Sequence, residues 1–307
     1  MIIRPPSPYC QTFAARGVGR AALLLALAWS MALPAEAAAF CRSTACKGTA
    51  CERDANDCPV TGAPLFWRTH CIGYSLQRNG TQNLPMDEVR KTVRKAFANW
   101  SDIDCGGGKT ASLTFSELAD TACIRSEFDQ AGPNVNVVVF RDNDWKYSDT
   151  DNTLAKATLH YSPKNGEVFD ADIEVNFANN GFTLDAKKVQ YDLETVLTHE
   201  VGHFIGIAHS PDPASIMYAS YEKGTKRGLS KDDIAAVCKI YPPGRPGTCA
   251  PEPPGGLDLC QSEDAGCQAH APGARPAPSP ASPIWWPLGL SLLALALLRR
   301  RAARNPA

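Results

Sequence analysis

Residues 197–210, LTHEVGHFIGIAHS, gather side chains that could hold a metal and move a proton. His199 and His203 are four residues apart, so on a helix both imidazoles leave the same side. Zinc takes neutral imidazole nitrogens at about 2.0 Å, and this spacing offers two of them. Glu200 flanks the first, where a carboxylate can reach a water on the metal. Gly206 can end the helix, because glycine tolerates a left-handed backbone. The chain can then turn so that His209 brings a third nitrogen. Three protein ligands leave an open position for water, which suits a catalytic rather than a structural zinc. A bare His-Glu-x-x-His pair also arises by chance. The extended spacing His199-Glu200-x-x-His203-x-x-Gly206-x-x-His209 is far more specific, and it uses three of the chain's 6 histidines.

Such a cluster needs a helix beneath it, and the pattern predicts one over 186–204. A second helix over 86–100 follows Pro85 and repeats Val89, Val93, Ala96, Phe97 and Trp100 at helical spacing. A last helix starts at the N-cap Ser230, has Asp233 at its third position, and stops before Pro242. Residues 71–76 alternate like a short strand, 111–115 read as another, and the continuously apolar 135–140 as a central one. Two more strands, 154–161 and 168–177, flank the turn Pro163-Lys164-Asn165-Gly166. This order predicts an α+β domain with a mixed sheet and few helices.

Met217 follows His209 by eight residues, in Ser215-Ile216-Met217-Tyr218. With it the stretch resembles the metzincins, whose methionine turn floors the zinc ligands. Among these the chain is most similar to the matrixins. Ser210 directly follows the third histidine. Leu84-Pro85 leads into a helix that ends in Phe97-Ala98-Asn99-Trp100-Ser101. Leu154-Ala155 and Gly166-Glu167-Val168 match the paired strands before the active helix, and Leu229-Ser230-x-Asp232-Asp233-Ile234 matches the final one. The resemblance implies a five-stranded twisted mixed sheet, three helices and a substrate cleft below an edge strand. It implies one catalytic Zn²⁺ on His199, His203 and His209, with Glu200 as general base and Met217 in the Met-turn. Leu154 and Ala155 would bind an extended substrate through their backbone. Tyr221, in Ala219-Ser220-Tyr221 where the family has Pro-x-Tyr, would stand in an altered pocket wall.

The chain also departs from the family pattern. Animal matrixins hold a second, structural zinc with histidines near these strands. Lys156 and Phe169 stand in those places, so that site is expected to be absent. An expected calcium carboxylate is Ala171. Asp170, Asp172 and Glu174 leave Ca²⁺ binding open, against the favoured reading of an acidic, solvated strand. No PRCG-type latency peptide is present, and 40–64 leaves little room for a prodomain.

Lys+Arg 31 against Asp+Glu 32 argues against a nucleic-acid partner, which would need a basic face. The 12 cysteines point to an oxidising compartment. Residues 1–39 read as a signal peptide: Arg4, Arg16 and Arg20, a short apolar run over 21–33, then Ala37-Ala38-Ala39 before Phe40. Residues 40–64 form a short Cys-rich segment and 65–241 the catalytic domain. Residues 242–283, rich in Pro and Gly, read as a stalk in which Cys249 and Cys260 close a small loop. Residues 284–307 carry an apolar stretch and then Arg299, Arg300, Arg301 and Arg304. With Cys267 upstream, this end resembles the MYXO-CTERM sorting tail of myxobacterial surface proteins; a plain membrane anchor is the alternative. Removing Cys10 with the signal and Cys267 with the tail leaves an even set, as a disulfide framework requires. The reading is a secreted or surface-tethered zinc endopeptidase acting on protein or peptide substrates and bound to the membrane through its tail. Two rivals are a zinc hydrolase of a non-peptide bond and a non-catalytic zinc-bearing adhesion module. The second would have lost Glu200 or a ligand, and neither is lost.

Overall fold

The computed structural model describes residues 40–260, apart from 47, 49–50, 102, 148–152, 186–189, 222 and 224–227. The expected signal segment, Cys267 and the Arg-rich tail lie outside the described residues.

Strands β1 (Phe66–Trp67), β2 (Cys71–Leu76), β3 (Thr114–Glu117), β4 (Val137–Arg141), β5 (Ala155–Tyr161) and β6 (Glu167–Asn176) form one sheet. Its path runs β1-β6-β4-β2-β3, with β5 paired on β6. All pairings are parallel except β5 with β6. Six strands stand where five were expected, the extra one being the two-residue β1. Strands β7 (Phe182–Thr183) and β8 (Tyr191–Asp192) make a separate pair. Helices α1 (Met86–Ala98), α2 (Leu193–Phe204) and α3 (Lys231–Ile240) are the three expected, with α2 starting at Leu193 rather than at 186 because Tyr191–Asp192 is a strand and Asp192 the N-cap. Helix α2 begins at its N-cap Asp192, whose carboxylate accepts from the Thr195 N–H at 2.8 Å. Helix α3 opens on the capping box of Ser230 and Asp233.

Strand β6 has two unlike faces, because successive side chains alternate. Ala171, Ile173 and Val175 join the main core with Val196, Leu197 and Val201 of α2. Asp170, Asp172 and Glu174 point the other way. The expectation that these acids are solvated is corrected: all three are 0% exposed. The sequence pattern hides the reason. Strand β6 pairs on both edges, and the chain before β4 folds over its outer face, where the Ser126 hydroxyl donates to Glu174, while the N–H of Val137, the first residue of β4, donates to Asp172. A small second core of Ala122, Cys123, Val135, Val137, Val139 and Cys260 lies on that side.

The expected Cys249–Cys260 loop is also corrected. Cys249 pairs with Cys71 and Cys260 with Cys123. Leu257 bridges to Asn134, so the folded chain continues past the expected boundary at 241 to Cys260. Short-range counting favours neighbouring cysteines, whereas the pairing follows where the returning chain lies. The N-terminal segment carries Cys41–Cys58 and Cys46–Cys51, and Cys105–Cys238 ties the loop after α1 to α3.

Candidate metal centre and cleft

Helix α2 delivers His199, Glu200 and His203 on one side, as their spacing requires. Gly206, at φ 91, then reverses the chain. A Cβ there would meet the Leu65 carbonyl oxygen at 2.7 Å, so glycine also allows the close approach of the chain just before β1. The turn brings His209 back onto the pair, with ring centroids 4.7, 4.8 and 5.2 Å apart. The Nε2 atoms of His203 and His209 are 3.2 Å apart.

Two ring orientations are set by carbonyls. His199 Nδ1 lies 2.7 Å from the Ile216 oxygen and His203 Nδ1 lies 2.8 Å from the Ile207 oxygen. A carbonyl only accepts, so each Nδ1 carries the proton and each Nε2 keeps its lone pair for a metal. Burial, and then the neighbouring His199 and His209, hold His203 well below its ordinary pKa. Burial, and then Arg53, lower His209. Neutral imidazoles converging through Nε2 are the donor set zinc takes, so these residues fit that ion. Burial pushes the Glu200 carboxyl up to about 8, opposed by the N–H of Ala157 on β5. A divalent cation beside it would act in the opposite direction to burial.

Beneath the histidines, Met217 is fully buried. A Cβ on Gly202 would sit 2.2 Å from its sulfur and 2.9 Å from the Trp100 ring, so the glycine inside the motif makes room for the methionine. The turn is anchored from α3. Asp233 accepts from the Ser215 hydroxyl at 2.5 Å, the Ile216 N–H at 2.9 Å and the Ser230 N–H at 2.7 Å. Asp232 accepts from the Ser210 hydroxyl at 2.7 Å. Sequence reasoning saw Asp233 only as a helix cap. Its hold on the Ser215–Met217 turn spans 18 residues and has no local signal.

The site floors a cleft of about 560 Å³. Leu154 and Ala155 at the edge strand, the three histidines, Glu200 and Tyr221 all line it. The Tyr221 hydroxyl accepts from the Asp192 N–H at 3.2 Å. A second basin of about 530 Å³ opens beyond His203 and His209. Its far wall is the Cys-rich segment, with Arg53, Asp57 and the Cys46–Cys51 bridge, a neighbour the sequence did not reveal. Lys156 lies over the Tyr147 ring at 3.7 Å and Phe169 stacks on Phe128, so neither presents a metal donor.

The family model described as Matrixin matches residues 66–242. Metalloendoproteinase 1-MMP of Arabidopsis thaliana is 29% identical over 203 residues, covering 64% of this chain and 48% of the relative. Matrix metalloproteinase-C of Caenorhabditis elegans is 30% identical over 206 residues, covering 60% and 31%. Neutrophil collagenase of Homo sapiens is 27% identical over 184 residues, covering 59% and 34%. The chain thus spans about half the length, or less, of these relatives.

Proposed function

The chain belongs to the matrixin family, and on that premise we propose that it is an exported zinc metalloendopeptidase that hydrolyses peptide bonds in protein substrates. The observation that carries this reading is the convergence of three histidines and one buried glutamate on the floor of a cleft beside an edge strand.

His199, His203 and His209 would hold one Zn²⁺. Bound there, the ion would polarise the scissile carbonyl and lower the pKa of water from 15.7 towards about 7. Glu200 takes the proton from the attacking water and returns it to the leaving amine. Its burial suits this role, since a carboxylate out of water holds a proton more readily than an exposed one. The backbone of Leu154 and Ala155, at the start of β5, lines up an extended substrate by strand addition. Tyr221 closes the pocket wall from the opposite side.

Export is supported by the five disulfides among the described residues, since disulfides persist in oxidising compartments. The four cysteines of the N-terminal segment are all paired, so no free thiol there blocks the metal, and the enzyme is active once exported. The Arg-rich tail tethers it at the cell surface through a MYXO-CTERM-like sorting signal. Digestion of a mixed peptide library by the purified chain, with and without a zinc chelator, tests the reading. Chelation is expected to abolish cleavage and added zinc to restore it. Cleavage that survives complete zinc removal sinks it.

A further inference from the structure

The basin beyond His203 and His209 has a wall that the peptidase reading does not use. That wall is the hairpin of residues 52–60. Arg53 and Pro59 pair as an antiparallel bridge, and the Val60 N–H donates to the Glu52 oxygen at 3.0 Å. At the tip the Asp54 carboxylate accepts from the N–H groups of Asn56 and Cys58 at 2.8 and 3.0 Å, and Asp57 takes φ 61 to close the turn. The hairpin is tied to the chain that carries His209. Cys58 is bonded to Cys41, the Cys41 oxygen accepts from the Ala208 N–H at 2.9 Å, and the Ser43 N–H donates to the Gly206 oxygen at 3.0 Å. A disulfide and two backbone bonds therefore fix the wall relative to His209.

Arg53, Asn56 and Asp57 line the basin from this hairpin. The Arg53 guanidinium is already oriented, because its Nη1 donates to the Asp57 carbonyl oxygen at 2.5 Å. Among the described residues Arg53 makes no further side-chain hydrogen bond, so Nε and Nη2 keep a pair of donors with the spacing of a carboxylate. Asp57 offers the opposing charge at 3.4 Å, but its side chain is 85% exposed and water screens it. With Zn²⁺ on the three histidines, the charges of the described lining residues would be the dication and Arg53 against Asp57, a net positive set.

We propose that Arg53, held on this disulfide-tied hairpin, is a specificity-determining residue that selects an aspartate or glutamate of the substrate on the amino side of the scissile bond. The proposal rests on the peptidase reading. Glu200 and Tyr221 line the first cleft and not this basin. Glu200 hands its proton to the leaving amine, so the amine side of the substrate lies in the first cleft. The residues before the scissile carbonyl then run over His203 and His209 towards Arg53. An acidic side chain there meets a fork of N–H donors, whereas its amide counterpart brings no charge and a lysine is repelled.

Cleavage of a peptide set carrying Asp, Glu, Asn, Gln or Lys at each of several positions before the bond, by the full purified chain with zinc, tests this. At one position the acids are expected to give kcat/KM at least about fivefold above their amides. This ratio should shrink as salt rises. Arg53→Glu, at an exposed side chain, is expected to abolish the ratio and to favour lysine instead. Binding of the same labelled peptides to Glu200→Gln, with and without Arg53→Glu, is read by fluorescence anisotropy and should rank them alike. Absence of cleavage for every peptide would refute the peptidase reading, while the binding arm would still read the preference of Arg53. A preference for acids that Arg53→Glu leaves intact overturns the proposal, as does the lack of any preference in both assays.

Discussion

Two glutamates, both withdrawn from water, sit on opposite sides of the same sheet and are driven in opposite directions. Burial alone acts on Glu200 almost unopposed, and its carboxyl rises to about 8. Burial acts on Glu174 as well, yet hydrogen bonds from Tyr147, the charge and hydrogen bond of Arg141, and Ser126 carry it below the usual carboxylate range. On the cleft side burial therefore holds the carboxyl protonated, and a divalent cation on the histidines would act the other way and free it to take a proton. The outer side keeps one that is fully engaged. Depth says little about what a buried acid does; its partners decide.

Glu200→Gln attacks the first half of this contrast and has the largest expected effect. The amide keeps the shape but cannot accept a proton, so kcat/KM should fall by about 10²–10⁴-fold. Zinc content and thermal stability should hold, because no charge partner is orphaned. A rate within a few-fold of the parent would move the base elsewhere. Glu174→Gln attacks the second half. Removing one partner of a buried pair leaves Arg141 uncompensated, and unfolding free energy should drop by about 3–5 kcal/mol. Activity well below the melting temperature should stay near the parent's; a stability change under about 1 kcal/mol would show that the outer network is dispensable.

The pair also differ in acid. A carboxyl whose folded pKa lies below its unfolded value of about 4.3 contributes stability above that value. The contribution is lost as pH falls through the folded pKa. Melting temperatures of the parent should therefore decline below about pH 4 more steeply than those of Glu174→Gln. Parallel curves would remove Glu174 from the account.

Asp233→Asn probes how the cleft side is supported from α3. Losing charge-assisted bonds to Ser215 and to the Ile216 N–H should cost about 1.5–3 kcal/mol and weaken zinc retention, measured by denaturation and by competition with a chelator. Unchanged zinc affinity would make Asp233 a helix cap and nothing more. Gly202→Ala should have the smallest effect, about 1–2 kcal/mol, as Met217 shifts to admit the methyl group. A neutral result would mean that the methionine side chain moves aside freely.

Much of the cleft side was legible in sequence because its geometry is local. A four-residue helical spacing puts His199 and His203 together whatever surrounds them, and Gly206 lies only three residues further on. Helix starts were legible where a cap announced them, as at Ser230. The third strand was misplaced by about three residues, since Leu113 ends a buried loop and pairing begins at Thr114. The second basin beside His209 was not legible, because its wall comes from residues more than 140 positions earlier.

The sequence by itself determined three histidines and a glutamate in order along one helix and turn, the even count of cysteines and the α+β succession of elements. These follow from periodicity and residue chemistry over a few residues. Tertiary structure alone decided that Ile216 and Ile207 orient His199 and His203, that Cys249 and Cys260 reach back to Cys71 and Cys123, and that three strand carboxylates are buried. An alternating acidic strand reads the same in sequence whether water or another layer of chain covers it. Only the return of segments far along the chain, and the partners they bring, separates the two.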